Sequence, residues 1–493
     1  MPSSPSSWQD CIAHLGDDDL VSLWSGPALG EHDQPTIIGV GVAAAWICRD
    51  SHRGKVETLV APSRLAILAS LLDDPGDDRD NSSVSGGHAF DALTAAWMEQ
   101  VERCVMDEAT RRTNEEIRLN YGINVPTALC SLGFSPSTPS ILILPRRTWI
   151  SIGQRWWRVD VSSTSPTDTE FNGAVVSGET VNNGEASSRE ERQKPGVDDH
   201  RRAITDHAPT DPVAWSTAVA HVVDELRSGA AQKVVMARDA LIATATPVSV
   251  GDLAAALHDL YPTCWTFAVA NLVGASPEML ASVRRGEIRS RVLAGTCAPG
   301  DGAALWESAK DREEHRLAAL SVTSSLQPIV AGLDAPEQPS LLRLPNVVHL
   351  CTDIRATLDS APATDDSHAH SSSGLARVVE ALHPTAAVCG VPTEVAYSMV
   401  RDHELMDRGR YAGPVGWVDR SGEGACAIAL RCGEVASDGR SVRIFAGGGI
   451  MPDSVPEREV AETEAKMRPM REAIARAGTP QPQHAGTHSR LSE

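Results

Sequence analysis

The chain of 493 residues reads as an α+β protein. Two observations predict that class. Stretches with apolar residues three and four apart, the signature of half-buried helices, share the same region of sequence with short apolar runs that pair across tight glycine turns. Helices and antiparallel hairpins in one unit are the mark of α+β architecture.

In chain order, TIIGVGVAAAWIC (36–48) and PSILILPRRTWISIG (139–153) predict strands, and HAFDALTAAWMEQVERCVMDEATRR (88–112) predicts one helix. WSTAVAHVVDELRSG predicts a helix closed by Gly229, followed by a strand through Val234, Val235 and Met236. EMLASVRRGEIRSRVLAG (278–295) predicts a hairpin turning near Gly286. In GACAIALRCGEVASDGRSVRIFAGGGI (424–450), Asp438 and Gly439 predict a two-residue turn with both residues at positive φ. A helix is expected in SAKDREEHRLAALSVTSSLQPIVAGL, with Leu317, Leu320, Leu326 and Ile329 as its apolar stripe. The last helix lies in SVPEREVAETEAKMRPMREAIARAG, where Ser454 and Glu457 have capping-box spacing and Pro456 falls in the first turn.

The stretch 162–209 is dense in Ser, Thr, Asp, Glu and Asn, and its composition cannot bury enough apolar area to offset chain entropy. It is expected to be a disordered insertion or linker between an N-terminal part, 1–161, and a C-terminal region, 210–478; residues 479–493 read as a disordered tail. Smaller polar breaks fall at 73–87 and 359–374.

Charge narrows the function. Lys and Arg total 44 against 65 Asp and Glu, a formal balance of −21, which argues against nucleic acid as a partner. An acidic protein that binds an anion must gather positive charge locally. The longest nearly uncharged apolar run, Ile37–Cys48, is well short of the about 20 residues of a membrane span, so no membrane partner is expected. The N-terminal MPSSPSSWQDCIAHLG lacks a basic segment followed by an apolar one, and none of the ten cysteines forms a CxxC pair. Reduced thiols and a cytoplasmic location follow as expectations.

Three features carry chemistry. Glu459, Glu462 and Lys466 fall on one helical face by their spacing of three and four. Glu314 and His315 begin a second helix, and glutamates from two helices are the hard oxygen ligands that Mg²⁺ prefers. Gly447, Gly448 and Gly449 end a strand where backbone amides can approach a ligand.

The segments QKVVMARD, GASPEML, LAGT, KDREEH, VVHL, HPTAAVCGVP, ELMDRGRYAGPVGW, ALRCG, FAGGGI and EREVAETEAK occur in the order of the chorismate-utilising enzymes, and the sequence resembles that family over roughly 215–476. The resemblance implies a large chorismate-binding fold with antiparallel sheets and surrounding helices, with the N-terminal part as its divergent portion. It implies Glu314 and Glu462 as Mg²⁺ ligands, with Glu459 close by, and the ion holding the ring carboxylate of chorismate. Lys466 is similar to the family lysine near that carboxylate. Arg431 and Tyr411 match the pair that grips the enolpyruvyl carboxylate, the amides around Gly295 and Gly447 would line the pocket, and His383 matches the histidine beside the ring. Lys233 matches the lysine that activates water, and Glu278 the general acid that protonates the departing C4 hydroxyl.

Within the family the pattern is most like isochorismate synthase, an isomerase acting as a monomer, with menaquinone favoured over a siderophore as the destination. Ala294 stands where aminodeoxychorismate synthases carry a nucleophilic lysine. Ala387, Phe445 and the run Val415–Trp417 resemble the isochorismate branch. Leu430 also fits salicylate synthase, which makes isochorismate and then eliminates pyruvate, and Gly448 departs from the family's usual Ala. A chorismate-binding protein without catalysis is a further alternative, against which stand the intact Lys233, Glu278, Glu314 and Glu462.

Overall fold

In the computed structural model the described residues are 20–27, 35–49, 55–60, 87–102, 104–153, 155–163, 174–181, 208–344, 347–359 and 373–478. They form an α+β fold whose strands join into one continuous, largely antiparallel sheet system with helices packed on it. No helix among them is long and apolar enough to cross a membrane.

The strand Thr36–Cys48 anchors the N-terminal portion. It pairs along its whole length with Ser140–Ile152 and, at its other edge, with Leu20–Ser25 and Val56–Val60. Buried on both faces, it reads in sequence as a near-continuous apolar run because neither side meets water. Two antiparallel pairings continue this sheet into the C-terminal region. Leu20–Ser25 lies against Trp265–Val269, and Thr127–Ser131 against Pro414–Asp419. Asp419 reinforces the second junction, since its buried carboxylate accepts from the backbone N–H of Asn124, Ser421 and Glu423 and from the Ser421 hydroxyl.

In the C-terminal region Lys233–Ala243 pairs with Ser441–Ile450, and Glu287–Cys297 with Val348–Leu358. Helix Pro212–Arg227 starts at an Asp211 cap with Pro212 in the first turn, and the chain leaves it through Gly229 at φ +88°. Its buried face carries Trp215, whose indole N–H donates to the Ala237 carbonyl at 2.8 Å and ties the helix to the Lys233 strand. The Gly286 hairpin forms as expected, with Arg285 at φ +52° and Gly286 at φ +76°.

Several expectations need correction. The helix expected over 88–112 is two helices, Gly87–Glu102 and Glu108–Tyr121. Val105 and Met106 break it by pairing in parallel with Val175 and Val176, and Asp107 caps the second helix through the Thr110 N–H. Ala174–Val181, inside the expected linker, is a strand paired with Arg155–Ser163; its AVV start carries the apolar signal that the polar flanks mask. The rest of 162–209 apart from 162–163 and 208–209, most of the breaks at 73–87 and 359–374, and the tail lie outside the described residues.

At Asp438–Gly439 only Gly439 has positive φ, because the connection is a longer loop closed by Ala436 N–H to Ser441 carbonyl. The capping box does not form. Ser454 instead accepts from the Met451 N–H and bonds the Glu459 carboxyl, leaving Val455 as the cap residue of helix Pro456–Ala477. In helix Ala309–Leu326, Leu317 and Leu326 are buried but Leu320 faces solvent, and Ile329 lies in the following 3₁₀ turn.

Because Asp419 collects four donors at the junction, Asp419→Ala leaves them unsatisfied and is expected to cost at least about 3 kcal/mol. A urea titration should show a lower midpoint at unchanged slope; an unchanged midpoint contradicts this role.

Candidate active site

The C-terminal sheet encloses a cleft of about 590 Å³, open to solvent. Four backbone features aim side chains into it. Gly295 sits at φ +75° as the extra residue of a bulge, where Ala294 faces Leu350 and Thr296 faces His349. Ala412 and Arg431 also lie in the left-handed region, at φ +61° and +49°. Non-glycine residues rarely accept that conformation, and here it turns Arg431 inward. The glycine strand Gly447–Gly449 forms the remaining wall.

Glu278, in the connection between two strands, is buried at the cleft wall. Desolvation pushes its carboxyl up to about 7, against the opposing effect of the Leu293 N–H and of Lys233, Arg431 and Lys466. Lys233, 1 % exposed, packs against cleft-lining Glu314 with Nζ 3.1 Å from its Oε1. That contact exists because Gly449 has no side chain: a Cβ there would run into the Glu314 carboxylate and the Lys233 Cε.

On the final helix Lys466 Nζ is 2.6 Å from Glu462 Oε1 and donates to the Gly447 carbonyl at 2.9 Å. Glu459 is buried and pairs with Lys310 Nζ at 3.3 Å. Burial raises the Glu459 carboxyl, and the neighbouring Glu462 and Glu314 raise it further. Asp311 is raised in the same way, by burial first and then by Glu314 and Glu462. Four carboxyl groups thus share one region with three lysines, Lys233, Lys310 and Lys466.

Among the described residues no three His, Cys, Asp or Glu side chains converge in metal-ligating geometry. The protein's oxygen donors are an incomplete set, which suits Mg²⁺, an ion usually bound by one or two carboxylates with water and substrate oxygens completing the octahedron. The crowding of carboxyl groups fits a cation there.

Of the residues expected from sequence, Glu278, Gly295, Glu314, Tyr411, Arg431, Gly447 and Lys466 line the cleft. Lys233, Glu459 and Glu462 are not in the lining: Lys233 packs on the Gly449 side of the glycine wall with Glu314, and on the opposite, Gly448 side Glu459 Oε2 and Glu462 Oε1 are 3.2 and 3.8 Å from where a Cβ would be. His383 is not brought to the cleft. Its ring lies edge-on to Phe134, its Nε2 is 3.3 Å from the Phe134 carbonyl, and burial lowers its pKa to about 4. The histidine in the cleft is His349, with Nδ1 3.0 Å from Thr296 Oγ1 and Nε2 3.4 Å from Arg431 Nη2. Burial and the Arg431 charge hold its pKa well below the usual value, so it is neutral and accepts from Arg431 through Nε2. Thr296, His349 and Arg408 were missed by sequence reasoning; VVHL already contains His349, but nothing in a lone apolar-flanked histidine separates it from His383.

His315, expected beside a metal ligand, is a packing residue: Nδ1 is 3.3 Å from the Ala294 carbonyl and Nε2 2.7 Å from Thr352 Oγ1.

A family model described as "chorismate binding enzyme" matches residues 79–475, and the chain belongs to that family of enzymes. It is 39 % identical over 281 residues to a salicylate biosynthesis isochorismate synthase of Pseudomonas aeruginosa, a match covering 54 % of this chain and 55 % of the relative. The chain therefore spans only about half the length of that relative. It is 32 % identical over 283 residues to an isochorismate synthase of Bacillus subtilis, covering 54 % of this chain and 68 % of the relative. The fold matches a crystal structure titled a putative 2,3-dihydroxybenzoate-specific isochorismate synthase from Bacillus anthracis, with TM-score 0.63 at 22 % identity, over 95 % of this chain and 100 % of that one.

The glycine wall gives a paired test. Gly449→Ala is expected to destabilise by about 1–3 kcal/mol, as overpacking does, because it displaces the Lys233–Glu314 contact. Gly448→Ala should cost less, since only the end of Glu459 must give way. Chemical denaturation of the two variants checks the order, and equal costs contradict the assigned contact.

Proposed function

We propose that the protein is a Mg²⁺-dependent isochorismate synthase that adds water at C2 of chorismate with loss of the C4 hydroxyl. The observation that carries this reading is a cleft lined by a buried carboxyl raised to about 7, Glu278, together with Arg431, Lys466 and Glu314, the last in contact with the buried Lys233. Support for the product comes from the relatives named isochorismate synthase.

In this mechanism Arg431, fixed by neutral His349, and Tyr411 bind the enolpyruvyl carboxylate. Lys466 and the Gly447 and Gly295 backbone orient the ring carboxylate. Glu314 and Glu462, with Glu459 beside them, would hold a Mg²⁺ ion, whose chemistry would be charge neutralisation of that carboxylate and polarisation of the ring. Lys233, once its ammonium has released a proton to solvent, takes a proton from the attacking water at C2 through its neutral amine. Glu278 gives its proton to the C4 hydroxyl, which leaves as water while the ring double bonds shift, so atoms and charge balance. Location in the cytoplasm, action as a monomer, and menaquinone as the destination belong to the same reading.

The salicylate route is the second reading, because Leu430 lines the cleft beside Arg431. Purified protein incubated with chorismate and Mg²⁺ and resolved by chromatography decides between them. Isochorismate without salicylate is expected, whereas stoichiometric salicylate and pyruvate would move the assignment. Glu314→Gln and Glu462→Gln should each abolish Mg²⁺-dependent turnover; retention of it by both contradicts the metal assignment.

Glu278 also sets a pH dependence. Its folded pKa is raised, so the protonated acid is present below about 7 and is lost as pH rises through that value. Turnover should fall on the alkaline side of about 7. Glu278→Gln, which cannot donate a carboxyl proton, should lose about 10²–10⁴-fold in kcat and lack that limb. Near-wild-type turnover in the variant contradicts the acid role. The same sign governs stability. The group favours the fold below its unfolded value of 4.5, and that contribution disappears as pH rises through about 7.

A further inference from the structure

The Lys233 strand has an incomplete edge. Along one side it pairs continuously with Ser441–Ile450. On the other, among the described residues, only Lys233 and Val234 have strand partners, Val391 and Gly390, with the Val235 N–H reaching the Cys389 carbonyl. Beyond that point buried backbone groups need other partners, because an unmade buried hydrogen bond is costly.

The Trp215 indole takes the Ala237 carbonyl, and two further side chains supply the rest. Arg408 Nη2 donates to the Val235 carbonyl at 2.8 Å, and Glu404 Oε2 accepts from the Ala237 N–H at 2.7 Å. The two form a buried bidentate pair, Nε to Oε1 at 2.6 Å and Nη2 to Oε2 at 2.8 Å, each side chain 3 % exposed. Arg408 Nη1 also donates to the Val388 carbonyl at 2.7 Å, its guanidinium lies 4.1 Å from the Phe134 ring centre, and its carbonyl accepts from the Tyr411 N–H at 2.9 Å. Val235, Val388 and Tyr411 all line the cleft.

A buried ion pair is a weak source of stability, since replacing both partners by apolar residues is often neutral or stabilising. What this pair does supply is a fixed relation between three separate segments of the cleft wall. We infer that Arg408, held by Glu404, is a positioning residue that takes the place of a missing strand and fixes the Lys233 strand against Tyr411 and the Ala387–Val388 wall. The inference rests on the hydration reading above, in which a small displacement of Lys233 misplaces the attacking water.

The test is the double variant Glu404→Leu/Arg408→Met, assayed beside wild type with chorismate and Mg²⁺. The double variant should fold with a lowered Tm, since the Val235 and Val388 carbonyls and the Ala237 N–H lose their partners, lose kcat by about 10²-fold, as misplacement near 1 Å does, and keep KM within about threefold because Arg431 and Lys466 are untouched. A folded double variant with wild-type kcat, or one that changes only KM, overturns the inference. Should the double variant fail to fold, Arg408→Lys keeps the charge and loses the fork. A fall in kcat at unchanged Tm supports the inference, and unchanged kcat overturns it. Wild type inactive on chorismate would remove the hydration reading and this inference with it; active wild type with unaffected variants sinks the positioning role alone.

Discussion

One buried contact organises the catalytic region: Lys233 Nζ lies 3.1 Å from Glu314 Oε1 with almost no access to water. Removing one partner of such a pair leaves an uncompensated charge and costs about 3–5 kcal/mol. Helix Ala309–Leu326 must therefore cross the sheet where Glu314 meets the Lys233 strand, and the intervening strand must carry glycine at 449. The final helix packs over the same glycine strand and brings Glu459, Glu462 and Lys466 to its other side. Strand register, helix placement and the glycine run are consequences of holding these charges together.

The cleft also resolves the mismatch between an acidic chain and the anionic substrate proposed for it. A formal charge of −21 repels a dicarboxylate at long range, but salt screens that field beyond about 10 Å. Inside the cleft Arg431 and Lys466 act at short range and low dielectric, where a local charge outweighs the distant net balance. His349 sharpens the effect by staying neutral: a second cation against Arg431 would be repelled, so the imidazole serves as an acceptor that orients the guanidinium. Glu278, in the same pocket, is protonated near neutrality because burial outweighs the nearby cations.

Much of this was legible in the sequence because the signals are local. Helix spacing placed Glu459, Glu462 and Lys466 on one face, and the ordered family segments marked Glu278, Arg431 and Tyr411. The failures have physical causes. His383 and His349 are both flanked by apolar residues, and only the bulge at Gly295 decides which ring reaches Arg431. Arg408 looks like a surface charge until its guanidinium is seen to donate to the Val235 carbonyl. Ser454 has capping-box spacing, but a buried carboxyl at Glu459 competes for its hydroxyl. Each depends on partners distant in sequence, which periodicity cannot report.

The central claim is that solvent water enters the ring at C2 as the C4 hydroxyl departs. Turnover of chorismate in H₂¹⁸O with Mg²⁺, followed by mass spectrometry of the separated product, tests it directly. The account predicts isochorismate carrying one solvent-derived oxygen, at C2. Isochorismate with no ¹⁸O, or an amino-substituted product formed when ammonium is supplied, would contradict it.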